Sequence, residues 1–172
     1  MPPKYQKNDL SVQEQKKLFS SFVVIAGCGA LGQSYAQTFA RLGIGNICIY
    51  DPDVFEENNF NRQIFCTSSN IGFSKAEETK KALEKINPDL NYHIFKKHIE
   101  DDNFLLSLKN SNIAVDALDN FKSRIYLEKT CKDLNKSLLH SAINGHTGQM
   151  RLIFPEDEFL KINYSKIEDK YI

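Results

Sequence analysis

The sequence predicts an α/β fold, a Rossmann-like and mostly parallel sheet with helices on both faces. Three observations carry that prediction. The stretch Phe22-Val23-Val24-Ile25-Ala26 is an unbroken, β-branched apolar run, the pattern of a strand buried on both sides. It runs into Gly27-Cys28-Gly29-Ala30-Leu31-Gly32, a G-x-G-x-x-G turn placed where a helix begins. Beyond it, strand-like runs and helical periods alternate along the chain, the order that βαβ units impose.

Taken in order, residues 11–19 form a short helix leading into the core, with Val12, Leu18 and Phe19 as its apolar positions. Residues 22–26 are the first strand. From 30 to 42, Leu31, Tyr35, Phe39 and Leu42 recur at spacings of three and four, which predicts a helix with one buried face, closed by Gly43 as a left-handed cap. A second strand follows at 46–50. Residues 51–74 form a long, polar, Asn-rich loop, and loops of that length usually carry function. A helix at 75–86 stops before Asn87-Pro88. The remaining expectations are strands at 92–95, 113–118, 138–142 and 148–154, with helices at 104–108 and 123–134. No repeat or linker marks a second domain, so residues 1–172 read as one unit.

Composition narrows the function. The 22 basic residues cancel the 22 acidic ones, so no overall field favours nucleic acid or an anionic membrane. No apolar run approaches the roughly 20 residues of a spanning helix, and the N-terminus is polar, so a cytoplasmic protein is expected. Cys28, Cys48, Cys66 and Cys131 form no C-x-x-C pair and read as structural thiols, leaving no zinc site and no cysteine nucleophile.

The chemistry concentrates in four places. In the glycine turn, Gly27 allows the tight bend, Gly29 lets a phosphate approach the backbone, and Gly32 lets helix and sheet pack closely. Amides from Ala30 onward and the positive helix end would hold an anion. Asp51 lies 19 residues beyond Gly32 at a strand end, where a carboxylate accepts ribose hydroxyls. The cluster Asn58-Asn59-Phe60-Asn61-Arg62-Gln63 offers a guanidinium fork and neutral amides to phosphate oxygens. Lys75 opens a helix, against the macrodipole, which suggests an anion to meet rather than a helix to stabilise. Asp116 and Asp119, beside Asn120, flank an otherwise apolar strand end, and either carboxylate suits Mg²⁺ shared with phosphates.

Together these motifs, with Asp51-Pro52-Asp53, Ile71-Gly72-Phe73-Ser74-Lys75 and Ile86-Asn87-Pro88, resemble the ThiF/MoeB/HesA family of adenylyltransferases, which are akin to the activating enzymes of ubiquitin. The resemblance implies ATP and Mg²⁺ as cofactors. It implies adenylation of the C-terminal carboxylate of a small β-grasp protein, ubiquitin-like or a sulfur carrier, ending in Gly-Gly. It gives Gly27, Gly29 and Gly32 to the phosphate turn and Asp51 to the ribose. Asn59, Arg62 and Lys75 fall to the phosphates with Gln63 nearby, and Asp119 to Mg²⁺. A homodimer is expected, with no nucleic-acid or membrane partner.

Two departures stand out. Lys7 falls where the family has an Arg reaching into the neighbouring subunit's site, and a lysine lacks the planar fork. The chain also reads as short at its C-terminal end, with residues 1–20 as an N-terminal arm and helix, and 155–172 as the unpaired start of a crossover segment. A nucleotide-binding chain without turnover and an NAD-dependent oxidoreductase are the competing readings, since the glycine turn and Asp51 serve both.

Overall fold

The computed structural model describes residues 2–160. Its elements run α1 (Val12–Ser20), β1 (Phe22–Ala26), α2 (Ala30–Leu42), β2 (Asn46–Tyr50), α3 (Lys75–Ile86), β3 (Asn91–Phe95), α4 (Asp102–Asn110), β4 (Ile113–Asp116), α5 (Phe121–Asp133), β5 (Ser137–Asn144) and β6 (Thr147–Ile153). The strands form one sheet in the order β3-β2-β1-β4-β5-β6. The first five are parallel, and β6 returns antiparallel beside β5.

Alternation within the strands divides the core in two. Val24, Ala26, Cys48, Tyr50, Ala114 and Leu138 point to one face and pack on Phe104 and Leu108 of α4 and Leu127 and Cys131 of α5. Val23, Ile25, Ile47, Ile49 and Val115 point to the other and pack on Ala36 and Ala40 of α2 and Ala76 and Leu83 of α3. Each fully buried aliphatic side chain contributes about 1.5–3 kcal/mol, so the uninterrupted apolar strands follow directly from helices on both faces.

Helix ends are set by local chemistry. Ser11 caps α1 in a reciprocal box with Glu14, Ser74 caps α3, and α2 ends at left-handed Gly43. Helix α4 extends two residues beyond its apolar period at each end, and it starts early because the Asp101 side chain accepts the Asn103 amide. Strand β4 ends at Asp116, two residues short of the expected 118, because Asp116 Oδ1 takes the Leu118 N–H at 3.0 Å and turns the chain. Residues 51–74 are tied together by a one-turn 3-10 helix at Glu57–Asn59, a bridge between Val54 and Ser74, and the Asn70 side chain joined to Thr67 N and Phe65 O.

After β6 the chain is not unpaired as expected. The Glu128 carboxylate accepts the amides of Phe159 and Leu160 at 2.9 and 2.7 Å, and Leu160 is fully buried. The rest of the expected crossover segment, residues 161–172, lies outside the described residues.

Candidate functional site

Strand order reverses between β1 and β4, since the chain leaves β1 toward β2 on one side and reaches β4 on the other. Loops diverge there at the carboxyl ends of the strands, opening a crevice. A cleft of about 990 Å³ occupies it. Gly27, Gly29, Ala30 and Leu31 line it from the β1 turn, Asp51 and Asp53 from the end of β2, and Asn59, Arg62 and Gln63 from the Asn-rich loop. Lys75 enters from the start of α3, and Asp119, Asn120 and Arg124 from the opposite wall.

The glycine turn is sterically required. Gly27 has φ +93°, and a Cβ there would lie 2.6 Å from the Ala117 carbonyl oxygen, so the β1 and β4 loops touch backbone to backbone. Gly32 does not line the cleft, which corrects its assignment to ligand binding. A Cβ on it would overlap the Gly27 carbonyl oxygen, and its job is to let α2 sit against the turn. Cys28 is fully buried, with its thiol against Thr79 Oγ1 at 3.2 Å, and burial pushes that thiol up to about 12.

Asp51 is built into the turn. Its Oδ2 accepts the Cys28 amide at 2.6 Å and its Oδ1 the Asp53 amide at 2.8 Å. Burial raises its pKa above the ordinary carboxylate value, opposed by those two amides and by the Lys75 charge. Each carboxylate oxygen keeps a second lone pair, so the group still presents acceptors to the cleft.

Lys75 is 8% exposed, and its ammonium meets Asp53 Oδ2 at 2.8 Å. Its backbone amide donates to the Asp53 carbonyl at 3.0 Å, so the cation is fixed at the wall by main chain and side chain together. Arg62 is exposed. Its Nη1 donates to Asn58 O and Asn61 Oδ1, while Nε and Nη2 have no hydrogen-bond partner among the described residues. Asn59 is buried and holds its own loop, accepting the Glu56 amide at 3.0 Å and donating to Asn58 Oδ1 at 2.6 Å.

The two acidic candidates after β4 part company. Asp119 is exposed on the cleft wall, beside Asn120, whose side chain caps α5 through Ser123 N. Asp116 turns inward and is fully buried, bonded to Arg124 at 3.1 Å and His140 at 2.6 Å, so it is withdrawn as a metal ligand. A carboxylate buried against the Arg124 guanidinium and the His140 ring is not available to an ion in the cleft.

Several residues escaped the sequence reading. Gln33, fully buried on α2, donates to Cys28 O and Gln63 Oε1 and accepts the Phe65 amide, so it ties the Asn-rich loop to the glycine turn. Its signal was present, since Gln33, Ala36 and Ala40 share one helical phase. Arg124 and His140 matched no motif: Arg124 reaches back to Asp116 and Leu118 and across to Ser141 on β5, and His140 meets Asp116 from another strand. Lys97, His98 and Ile99 close the wall after β3, also unannounced.

Residues 3–170 match the profile of the ThiF family. The chain belongs to the ThiF family. Among ThiF relatives, a protein of Porphyra purpurea named "Probable molybdopterin-synthase adenylyltransferase" is 35% identical over 82% of this chain and 37% of its own length. A SAMP-activating enzyme E1 of Haloferax volcanii is 31% identical over 87% of this chain and 55% of its own. The solved structure of E. coli MccB with ATP superposes with a TM-score of 0.76 at 28% identity, covering 83% of this chain and 44% of that one. A second MccB structure, with MccA-N7isoASN, gives the same score and identity. This ThiF chain therefore spans only about two fifths and just over one half of the length of these two relatives. Among its described residues no helix is long and apolar enough to cross a membrane.

Proposed function

We propose that the cleft binds ATP with Mg²⁺ and that the chain adenylates the C-terminal carboxylate of a small ubiquitin-like or sulfur-carrier protein, acting as a homodimer in the cytoplasm. One observation carries the reading: Arg62, Lys75 and Asp119, far apart in sequence, line one hollow floored by a glycine turn. The named activities of the Porphyra and Haloferax relatives and the ATP in an MccB structure support the same assignment.

The division of labour follows from the geometry. Amides of the turn and the start of α2 offer donors to phosphate oxygens, and Asp51 offers acceptors to the ribose. Arg62 and Lys75 offset phosphate charge, with Gln63 and Asn59 shaping the wall between them. Among the described residues no group of three or more His, Cys, Asp or Glu side chains would hold a metal by itself. A single exposed carboxylate, Asp119, suits an ion that takes its other ligands from phosphates and water, as Mg²⁺ does. Such an ion, when bound, neutralises charge on the phosphate oxygens.

In the reaction, a carboxylate oxygen of the carrier forms a bond to the α-phosphorus. The bond from that phosphorus to the β-bridging oxygen breaks, and pyrophosphate leaves with the electron pair. No nucleophile from this chain is required, so its residues act by aligning the two reactants and spreading the developing charge. Four unpaired, buried thiols accord with a reducing compartment.

The test is ATP–pyrophosphate exchange in the presence of a panel of Gly-Gly-ending β-grasp proteins. Exchange is expected with at least one of them and is expected to fall at least about a hundredfold in Asp119→Ala, the scale of losing a group that stabilises transferring phosphate charge. ATP binding with no exchange across the panel would refute the assignment.

A further inference from the structure

Behind Asp119 lies a buried polar frame that the adenylation reading leaves without a task. Arg124, in the first turn of α5, is 7% exposed. Its Nη1 donates to Asp116 Oδ2 at 3.1 Å and to the Ser141 carbonyl at 2.8 Å, and its Nη2 donates to the Leu118 carbonyl. Asp116 Oδ1 accepts the Leu118 amide at 3.0 Å. Leu118 is therefore gripped at both its N–H and its C=O, and the next residue in the chain is Asp119.

His140 completes the frame from β5. Its Nδ1 lies 2.6 Å from Asp116 Oδ2, and its Nε2 lies 3.2 Å from the Gln149 amide on β6. With Nδ1–H donating, one imidazole satisfies both contacts, since Nε2 then accepts from Gln149. Arg124 and His140 share Asp116 Oδ2, which leaves Oδ1 for the Leu118 turn. Ser141 Oγ donates to the Asp116 carbonyl at 2.9 Å and seats the same residue from its backbone.

Stability alone does not account for this arrangement. A buried ion pair repays its desolvation poorly, and apolar residues of similar volume usually serve as well. What the frame does produce is a turn with little freedom. Among the described residues, the Asp119 side chain itself is held only by a 3.4 Å contact from Asn120. The clamped Leu118 backbone fixes where the Asp119 Cα–Cβ bond starts and so limits where its carboxylate can reach.

We propose that Arg124, supported by Asp116 and His140, is a positioning residue that fixes the Leu118–Asp119 turn so that the Asp119 carboxylate meets the metal of a metal–nucleotide. The inference rests on the nucleotide reading above and adds the residues that set its metal-facing geometry. Outer partners of a metal ligand typically govern metal affinity by about 10–100-fold.

The experiment is calorimetric titration of ATP into the full chain with and without Mg²⁺, with melting temperature recorded for each variant. In the wild type, Mg²⁺ is expected to tighten ATP binding. In Arg124→Lys, which keeps a charge for Asp116 but cannot span three acceptors, that gain is expected to shrink by about tenfold while Mg²⁺-free affinity holds. His140→Leu is expected to lose part of the gain and His140→Asn, whose amide can still donate to Asp116, to restore it. Equal losses with and without Mg²⁺, or a lower melting temperature with the gain intact, would overturn the proposal. If Arg124→Lys does not fold, the His140 pair decides, and a full gain in His140→Leu overturns it. A wild type that binds ATP with no Mg²⁺-dependent gain removes the nucleotide–metal reading itself, and the proposal with it.

Discussion

At the scale of single residues, the cleft is built from side chains already engaged with the protein before any ligand arrives. Lys75 is held by Asp53 and Asp51 by two amides, so their positions do not depend on substrate. Preorganised charge of this kind costs no rearrangement at the moment of reaction. The thiols show the opposite use of burial. Burial pushes Cys28, Cys48 and Cys131 each up to about 12, partly opposed at Cys28 by Thr79 and at Cys48 by Ser107. Iodoacetamide at pH 8 is therefore expected to leave these three unmodified in the native protein and to label them in urea, read by peptide mass mapping. Rapid native labelling of Cys28 would contradict the packing described for the glycine turn. Residue types such as Gly27, Asp51 and Lys75 were legible as candidates because motif and position coincide. Asp116 and Asp119 were not separable, because what distinguishes them is a partner eight residues on and another on β5.

Among the elements, the glycine turn and α2 act as one body with the Asn-rich loop. Gly32 permits the helix to seat, and Gln33 one residue later binds the loop to the turn. Gly32→Ala is expected to force α2 off the Gly27 carbonyl at a cost of about 1–3 kcal/mol, measured by urea denaturation. Gln33→Leu is expected to orphan the Phe65 amide and the Cys28 carbonyl, costing about 1–3 kcal/mol for each group left unsatisfied. An unchanged urea midpoint in either variant would show that the contact carries no weight. Elements were legible where one period governs a whole segment, as in β1, β2, α2 and α3. They were misjudged where a side chain overrides the period, as Asp101 does by starting α4 early and Asp116 by ending β4 early. The segment at Phe159 and Leu160 was unreadable for the same reason, since its anchor is Glu128 on α5.

For the whole molecule, topology places the site. Parallel order from β3 to β5 and the reversal between β1 and β4 bring the Gly27 and Asp119 loops to one crevice, which alternating strands and helices in the sequence already implied. The buried thiols also impose a global pH response. Each ionises near 9 when unfolded and near 12 when folded, so between those values the native state holds more protons than the unfolded state. Stability from these thiols is then fully present below pH 9 and is lost progressively as pH rises toward 12. Urea midpoints at pH 8 and 10 are expected to show that loss, and equal midpoints would contradict it. The central claim is that a triphosphate lies across the glycine turn between Arg62, Lys75 and Asp119. Calorimetric affinities for ATP, AMP and NAD, in wild type and Lys75→Met, test it most directly. ATP is expected to bind more tightly than AMP or NAD, with Lys75→Met erasing about 10–100-fold of that preference, the worth of a hydrogen bond to a charged group. Equal affinity for ATP and AMP, or a preference for NAD, would contradict the account.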